Sequence, residues 1–200
     1  MAGERKNITC IRKKEICQAA LECFIEKGFH KTGMEDVIRR SKLSKGGVYY
    51  YYKSTKEMIF DIFIEGNNYR IGIIKDYIEK NKLGAADLKN PDIVADLIVE
   101  KILTKNRLMK VYAQLLLELK YDRDLYDTYI KIVEKSKLDL GKIFFEQYRD
   151  SKDDELFLLL TDIINNFIVG ANILDLRENF EKNRDVLKEM IKVVLMSKWS

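Results

Sequence analysis

Proline is nearly missing from this 200-residue chain: Pro91 is the single one, beside ten glycines. An all-β fold needs such breakers for a turn every ten or so residues, so their scarcity excludes one and leaves room for long, uninterrupted helices. Histidine is as scarce. His30 alone cannot build a histidine metal site, and it is expected on a surface loop. Cys10, Cys17 and Cys23 are odd in number and spaced unlike a CxxC zinc motif, and Cys23 reads as a small buried hydrophobe. No GxSxG, Walker-type or GxGxxG sequence occurs. The expectation is therefore no metal, no cofactor, no catalytic residue and no enzyme. Nor does any apolar run approach the ~18–20 residues of a membrane span. The richest stretch, Leu156 to Leu176, is broken by Thr161, Asp162, Asn165, Asn166 and Asp175. The first residues lead into charge rather than a secretory segment, which places the chain, as an expectation, in the cytoplasm with no membrane partner.

What is present is a hydrophobic fraction of 46%, ample for a packed core of one large domain or two small ones. The net charge of +4 is distributed unevenly. Residues 1–57 hold 13 Lys and Arg against 7 Asp and Glu, and the other residues hold 23 against 25. A basic module on a near-neutral body suits a polyanion-binding head on a carrier domain.

Periodicity divides the head into short helices. Ile16, Ala19, Ala20, Cys23 and Phe24 form an apolar stripe on a helix expected over about 9–27, closed by Gly28. Arg12, Lys13 and Lys14 would lie near its start, against the helix dipole. A second helix covers about 34–41, with Val37 and Ile38 inward. Ser44 then caps a third over 45–52. Ser54 and Glu57 make a capping box for a fourth, which runs to about residue 79. Further helices are expected over 91–104, 106–120, 123–149, 152–177 and 181–197, with Asn90-Pro91 and Ser151 to Asp154 as start signals.

Two short helices joined by a tight turn are the geometry of a helix-turn-helix, whose second helix enters the DNA major groove. In residues 34–52, Val48, Tyr52 and Leu43 face inward, while Lys45, Tyr49 and Tyr50 fall on the other side, where they can meet phosphate. Gly46 and Gly47 let backbone N–H groups approach a phosphate, and Lys56 can reach the same strand.

Thr32 to Ile38, Ser44-Lys-Gly-Gly-Val-Tyr-Tyr-Tyr-Tyr52 and Lys56-Glu57 resemble, in order, the signature of the tetracycline-repressor (TetR) family. The stretch Ile16 to Phe29 resembles that family's first helix with its Gly-aromatic exit, so the likeness covers roughly residues 11–63. It implies that Lys45, Gly46 and Gly47 open the recognition helix and that Tyr49, Tyr50 and Tyr51 contact DNA. It further implies that Lys56 clamps the backbone from the connector helix, and that Thr32 contacts phosphate. The chain departs from the signature at Gly33 and Gly47, where threonine is usual, at Ile38 for alanine and at Lys42 for a turn glycine. The interval from Tyr52 to Lys56 is also one residue longer than in many members.

Past residue 63 only pattern is available. The helix expected over 152–177 is apolar nearly all round, which suits one face on its own core and one on a second copy of the chain. Candidate dimer contacts are Leu160, Ile164, Phe167, Gly170 and Ala171, with Leu187, Met190, Ile191 and Val194 from the last helix. Candidate lining residues for the effector pocket that the resemblance implies are Tyr112, Glu118, Tyr126, Tyr129, Phe145, Asp162 and Asn166. The expected architecture is all-α: a three-helix DNA-binding head with a helix-turn-helix, a connector helix, and a C-terminal helical bundle. Residues 1–53 form the DNA-binding domain and 54–200 the ligand-binding and dimerisation domain. The implied function is a homodimeric repressor, released from a palindromic operator in double-stranded DNA by an unknown small molecule. A helical ligand-binding or enzymatic protein without regulatory DNA binding is the alternative.

Overall fold

The computed structural model describes residues 2–144 and 151–199, with side chains over 7–140, at 155 and over 157–197. Within these residues the chain forms ten α-helices and one 3-10 turn, with no strand. They are α1 (Ala2–Lys27), α2 (Met34–Ser41), α3 (Lys45–Tyr51), α4 (Thr55–Lys80), α5 (Pro91–Leu103), α6 (Arg107–Glu118), α7 (Arg123–Phe144), α8 (Ser151–Asn172), α9 (Arg177–Lys182) and α10 (Arg184–Trp199).

Helices α1 to α3 make the head. Helix α1 begins at Ala2 rather than near Thr9, so Arg12, Lys13 and Lys14 lie inside the helix, away from the positive end of its dipole. Its apolar stripe is buried, Ile16, Ala20 and Phe24 completely. Gly28 closes it at φ +80°, its N–H bonded to the Phe24 carbonyl. Cys23 is buried as expected, and His30 is exposed in the turn that follows. Helix α2 has no capping side chain at Gly33. Instead Asp36 reaches back to accept from the Gly33 N–H at 3.0 Å. Arg40 ties α2 to α1 through a two-pronged bond to Glu26, at 2.7 and 2.6 Å.

Helix α4 leaves the head and enters the body. Ser54 caps it by accepting from the Glu57 N–H, while the Glu57 carboxylate reaches back to the N–H of Lys53. Its first turns bury Met58, Ile59 and Ile62, Phe63 packs against Tyr112 and Tyr129 of the body, and Ile71 and Ile74 are buried further along. The body surrounds α8: α4 meets α7, α6 and α5 meet α8, and α10 lies along α5. Lys188 and Lys192 of α10 fasten that last pair through Asp96 at 2.7 Å and Asp92 at 3.0 Å. Asn90 and Pro91 open α5 as the sequence implies. Arg177 donates to the carbonyls of Leu103 and Thr104, satisfying the end of α5.

Three expectations change. The helix expected over 152–177 ends at Asn172, because Asp175 takes a left-handed conformation (φ +57°) and turns the chain. The helix expected over 181–197 is two, α9 and α10, parted at Asn183. Several candidate dimer residues are spent inside the protomer: Ile164, Gly170, Ala171, Leu187 and Ile191 are buried in its own core. Gly170 in particular faces Phe180, whose ring would stand 3.2 Å from a Cβ there. Leu160, Phe167 and Val194 are half-buried, and Met190 is exposed.

Candidate DNA-binding face

Helix α3 is seven residues long and carries two glycines, so its local propensity is poor and its position rests on three anchors. Ser44 accepts from the Gly47 N–H at 3.1 Å and fixes the start. Val48, fully buried, pins the middle. Tyr52, 2% exposed, pins the end; its hydroxyl donates to Asp61 Oδ2 at 2.6 Å, beside the Cys17 sulfur at 3.1 Å. Lys13 completes this cluster, pairing with Asp61 at 3.0 Å and lying 4.8 Å from the centre of the Tyr52 ring. Burial and the bond to Asp61 push the Tyr52 phenol far up, so it remains a donor. The turn before α3 holds Lys42 at φ +58°, the left-handed position where the family signature has glycine.

With that face anchored, the other face of α3 is open. Lys45 and Gly46 are exposed, Gly47, Tyr49 and Tyr51 are half-buried, and Tyr50 is 77% exposed. The Tyr50 and Tyr51 rings meet edge-on at 4.9 Å. Together with Gly47, Leu43, Ile8 and Arg12 they line an open groove between α1 and α3. Ile8 was not legible as part of this face, because its place depends on α1 starting seven residues early. Lys45 pairs with Glu35 of α2 at 2.7 Å, which raises its pKa. Both side chains are about two-thirds exposed, so this pair is worth little and phosphate can displace it.

Two nominated contacts are engaged elsewhere. The Thr32 hydroxyl is buried and donates to the Gly28 carbonyl at 2.8 Å. Lys56 is held by Asp122 at 2.8 Å and Asp124 at 2.9 Å, two carboxylates at the start of α7, and these bonds raise its pKa. His30 with Glu118 at 2.6 Å and Arg107 with Glu22 at 3.6 Å also join head to body.

The pocket candidates separate in space. Tyr112 and Tyr129 meet inside the body through Asn165, which accepts from the Tyr112 hydroxyl and donates to that of Tyr129, each at 2.9 Å. Tyr126, Asp162 and Asn166 are exposed, Glu118 serves His30, and Phe145 lies outside the described residues. The residue that pattern reading missed is Arg70, 5% exposed beneath the Tyr112 ring. Its signal was available: it continues the stripe of Ile59, Ile62, Phe63 and Gly66 at helical spacing.

Comparison with known proteins agrees with this geometry. The family model for bacterial regulatory proteins of the tetR family matches residues 16–62. A curated relative, the uncharacterized HTH-type transcriptional regulator YfiR of Bacillus subtilis (strain 168), is 47% identical over 55 residues. That match covers 28% of this chain and 27% of the relative, so it concerns the head alone. Among solved structures, Salmonella enterica GusR superposes with a TM-score of 0.69 at 18% identity, over 92% of this chain and 95% of that one. A transcriptional regulator (TerR/AcrR family) from Aquifex aeolicus VF5 gives 0.59 at 24%, over 92% and 98%. These two likenesses are of fold. Residues 16–62 thus match the family model for bacterial regulatory proteins of the tetR family, and the whole chain shares its fold with solved transcriptional regulators.

Proposed function

We propose that this protein is a homodimeric repressor that binds a palindromic operator and is released by a small molecule. The open face of α3 carries the reading. Lys45, Gly46 and Tyr50 are exposed on a helix fixed inward by Val48 and Tyr52, with Gly47, Tyr49 and Tyr51 half-buried at the flanks. Such a helix presents backbone N–H groups and phenol hydroxyls to the groove edge, and an ammonium once phosphate displaces Glu35 from Lys45. Residues 1–53 serve as the DNA-binding domain and 54–200 as the effector and dimer domain, with α4 carrying motion from one to the other. Thr32 and Lys56 reach phosphate only after exchanging their present partners.

A second copy has an evident seat. Val186, Met190 and Val193 form an exposed apolar stripe on α10, at i, i+4 and i+7, and Leu158 and Leu159 are exposed on neighbouring α8. A two-fold pairing of these helices buries the stripe against itself and sets two heads on successive turns of the duplex. Fluorescence anisotropy with duplexes from the DNA upstream of the chain's own gene tests the proposal. Selective binding to a two-fold site is expected. Equal affinity for scrambled duplexes at physiological salt would refute it.

A further inference from the structure

We propose that the body binds a small organic carboxylate, with the Arg70 guanidinium as its anchor and the rings of Phe63, Tyr112 and Tyr129 as its walls. The inference rests on the effector reading above and supplies the charge of the ligand.

Arg70 sits at the middle of α4 and is 5% exposed. A buried cation is costly unless an anion compensates it, and guanidinium does not give up its proton in compensation. No carboxylate among the described residues does so. Arg70 Nη2 donates to Asn67 Oδ1 at 3.0 Å, and the guanidinium carbon lies 3.5 Å from the centre of the Tyr112 ring. Nη1 is buried and donates to nothing among the described residues. Lys101, from α5, feels the Arg70 charge, which disfavours its protonated form, and it too has no anionic partner among the described residues.

The remaining valences fit an acid. Tyr129 accepts from Asn165, so its own hydroxyl hydrogen is uncommitted and can be donated. Arg70 Nη1 and, on the same cluster, the Tyr129 hydroxyl are donors with no acceptor among the described residues, the valences a carboxylate takes. Phe63 stands 5.2 Å from Tyr112 and 6.1 Å from Tyr129, ring centre to ring centre, an apolar lining for the rest of the molecule. The cluster draws on α4, α6, α7 and α8. Helix α4 starts directly after the head, and α7 starts at the carboxylates that hold Lys56, so a ligand here acts on both connections.

The test uses the full chain, thermal unfolding and operator anisotropy. Acetate, hexanoate and phenylacetate are compared at about 10 mM with their amides and with sodium chloride. At least one acid is expected to raise Tm where its amide does not, and to release the duplex. Arg70→Met is expected to raise the Tm of the free protein by a few degrees, since an uncompensated charge is removed, and to lose the response to acids. Arg70→Lys, which retains charge without the fork, is expected to bind at least tenfold more weakly than wild type. Equal responses to acids and amides, an equal response to chloride, or an undiminished response in Arg70→Met would each overturn the proposal, as would a lower Tm in free Arg70→Met. An amide that releases DNA would overturn the carboxylate and keep the effector reading. An acid that raises Tm through Arg70 yet leaves DNA bound would do the reverse.

Discussion

Cys17 and Lys101 are each shifted by burial, in opposite chemical directions. Desolvation pushes the Cys17 thiol up to about 11 and raises Cys23 as well, whereas Cys10 is exposed. Iodoacetamide at pH 8 is expected to label Cys10 and spare the other two in the native protein. Mass spectrometry finding modified Cys17 before unfolding would contradict the packing around Tyr52. For Lys101, desolvation first and the Arg70 charge second pull the ammonium down to about 7. Between this value and its ordinary 10.5 the unfolded chain holds a proton that the folded chain has lost. Stability from this group therefore rises with pH from about 7, by at most about 1.4 kcal/mol per pH unit. Urea titrations from pH 7 to 8.5 check it. Lys101→Met is expected to be the more stable at pH 7 and to flatten the slope; an unchanged slope would mean that the ammonium is well solvated.

Helix α3 exists because its ends are held, not because its residues favour helix. Ser44→Ala removes the cap and is expected to cost about 1 kcal/mol in chemical denaturation. Gly46 separates stability from function. A Cβ there meets nothing within 4 Å, so Gly46→Ala is expected to gain about 0.5–1 kcal/mol. The same methyl stands between the helix start and an approaching phosphate, so duplex binding is expected to weaken while stability improves. Gains in both would move the phosphate contact away from this turn. Much of this element was legible in advance: the serine cap and the inward Val48 and Tyr52 follow from local chemistry, while only the family resemblance marked the turn at Lys42. The early start of α1 was not, since Ala2 to Ile8 has no apolar period and no cap to read.

At the scale of the molecule, residues far apart in sequence decide the arrangement, and sequence periodicity does not carry that information. Apolar stripes on α8 and α10 were plain, but which side of each meets the protomer's own core depended on Phe180 filling the space over Gly170. Arg70, with no carboxylate partner among the described residues, emerged only once α4, α6, α7 and α8 closed around it. Likewise, Lys56 read as a free cation until α7 brought Asp122 and Asp124 to it. The exposed residues left by this packing define the dimer test: Met190→Glu combined with Val193→Glu is expected to convert a dimer to monomers in sedimentation, with folding intact. An unchanged dimer would place the interface elsewhere. The central claim is that the outward face of α3 grips DNA phosphate. The most direct measurement is operator anisotropy across a salt series for the wild type and Lys45→Ala. Lys45→Ala is expected to bind more weakly at every salt concentration, with a log–log salt slope shallower by about 0.9 for each Lys45 at the interface. Superimposable slopes and affinities would contradict it.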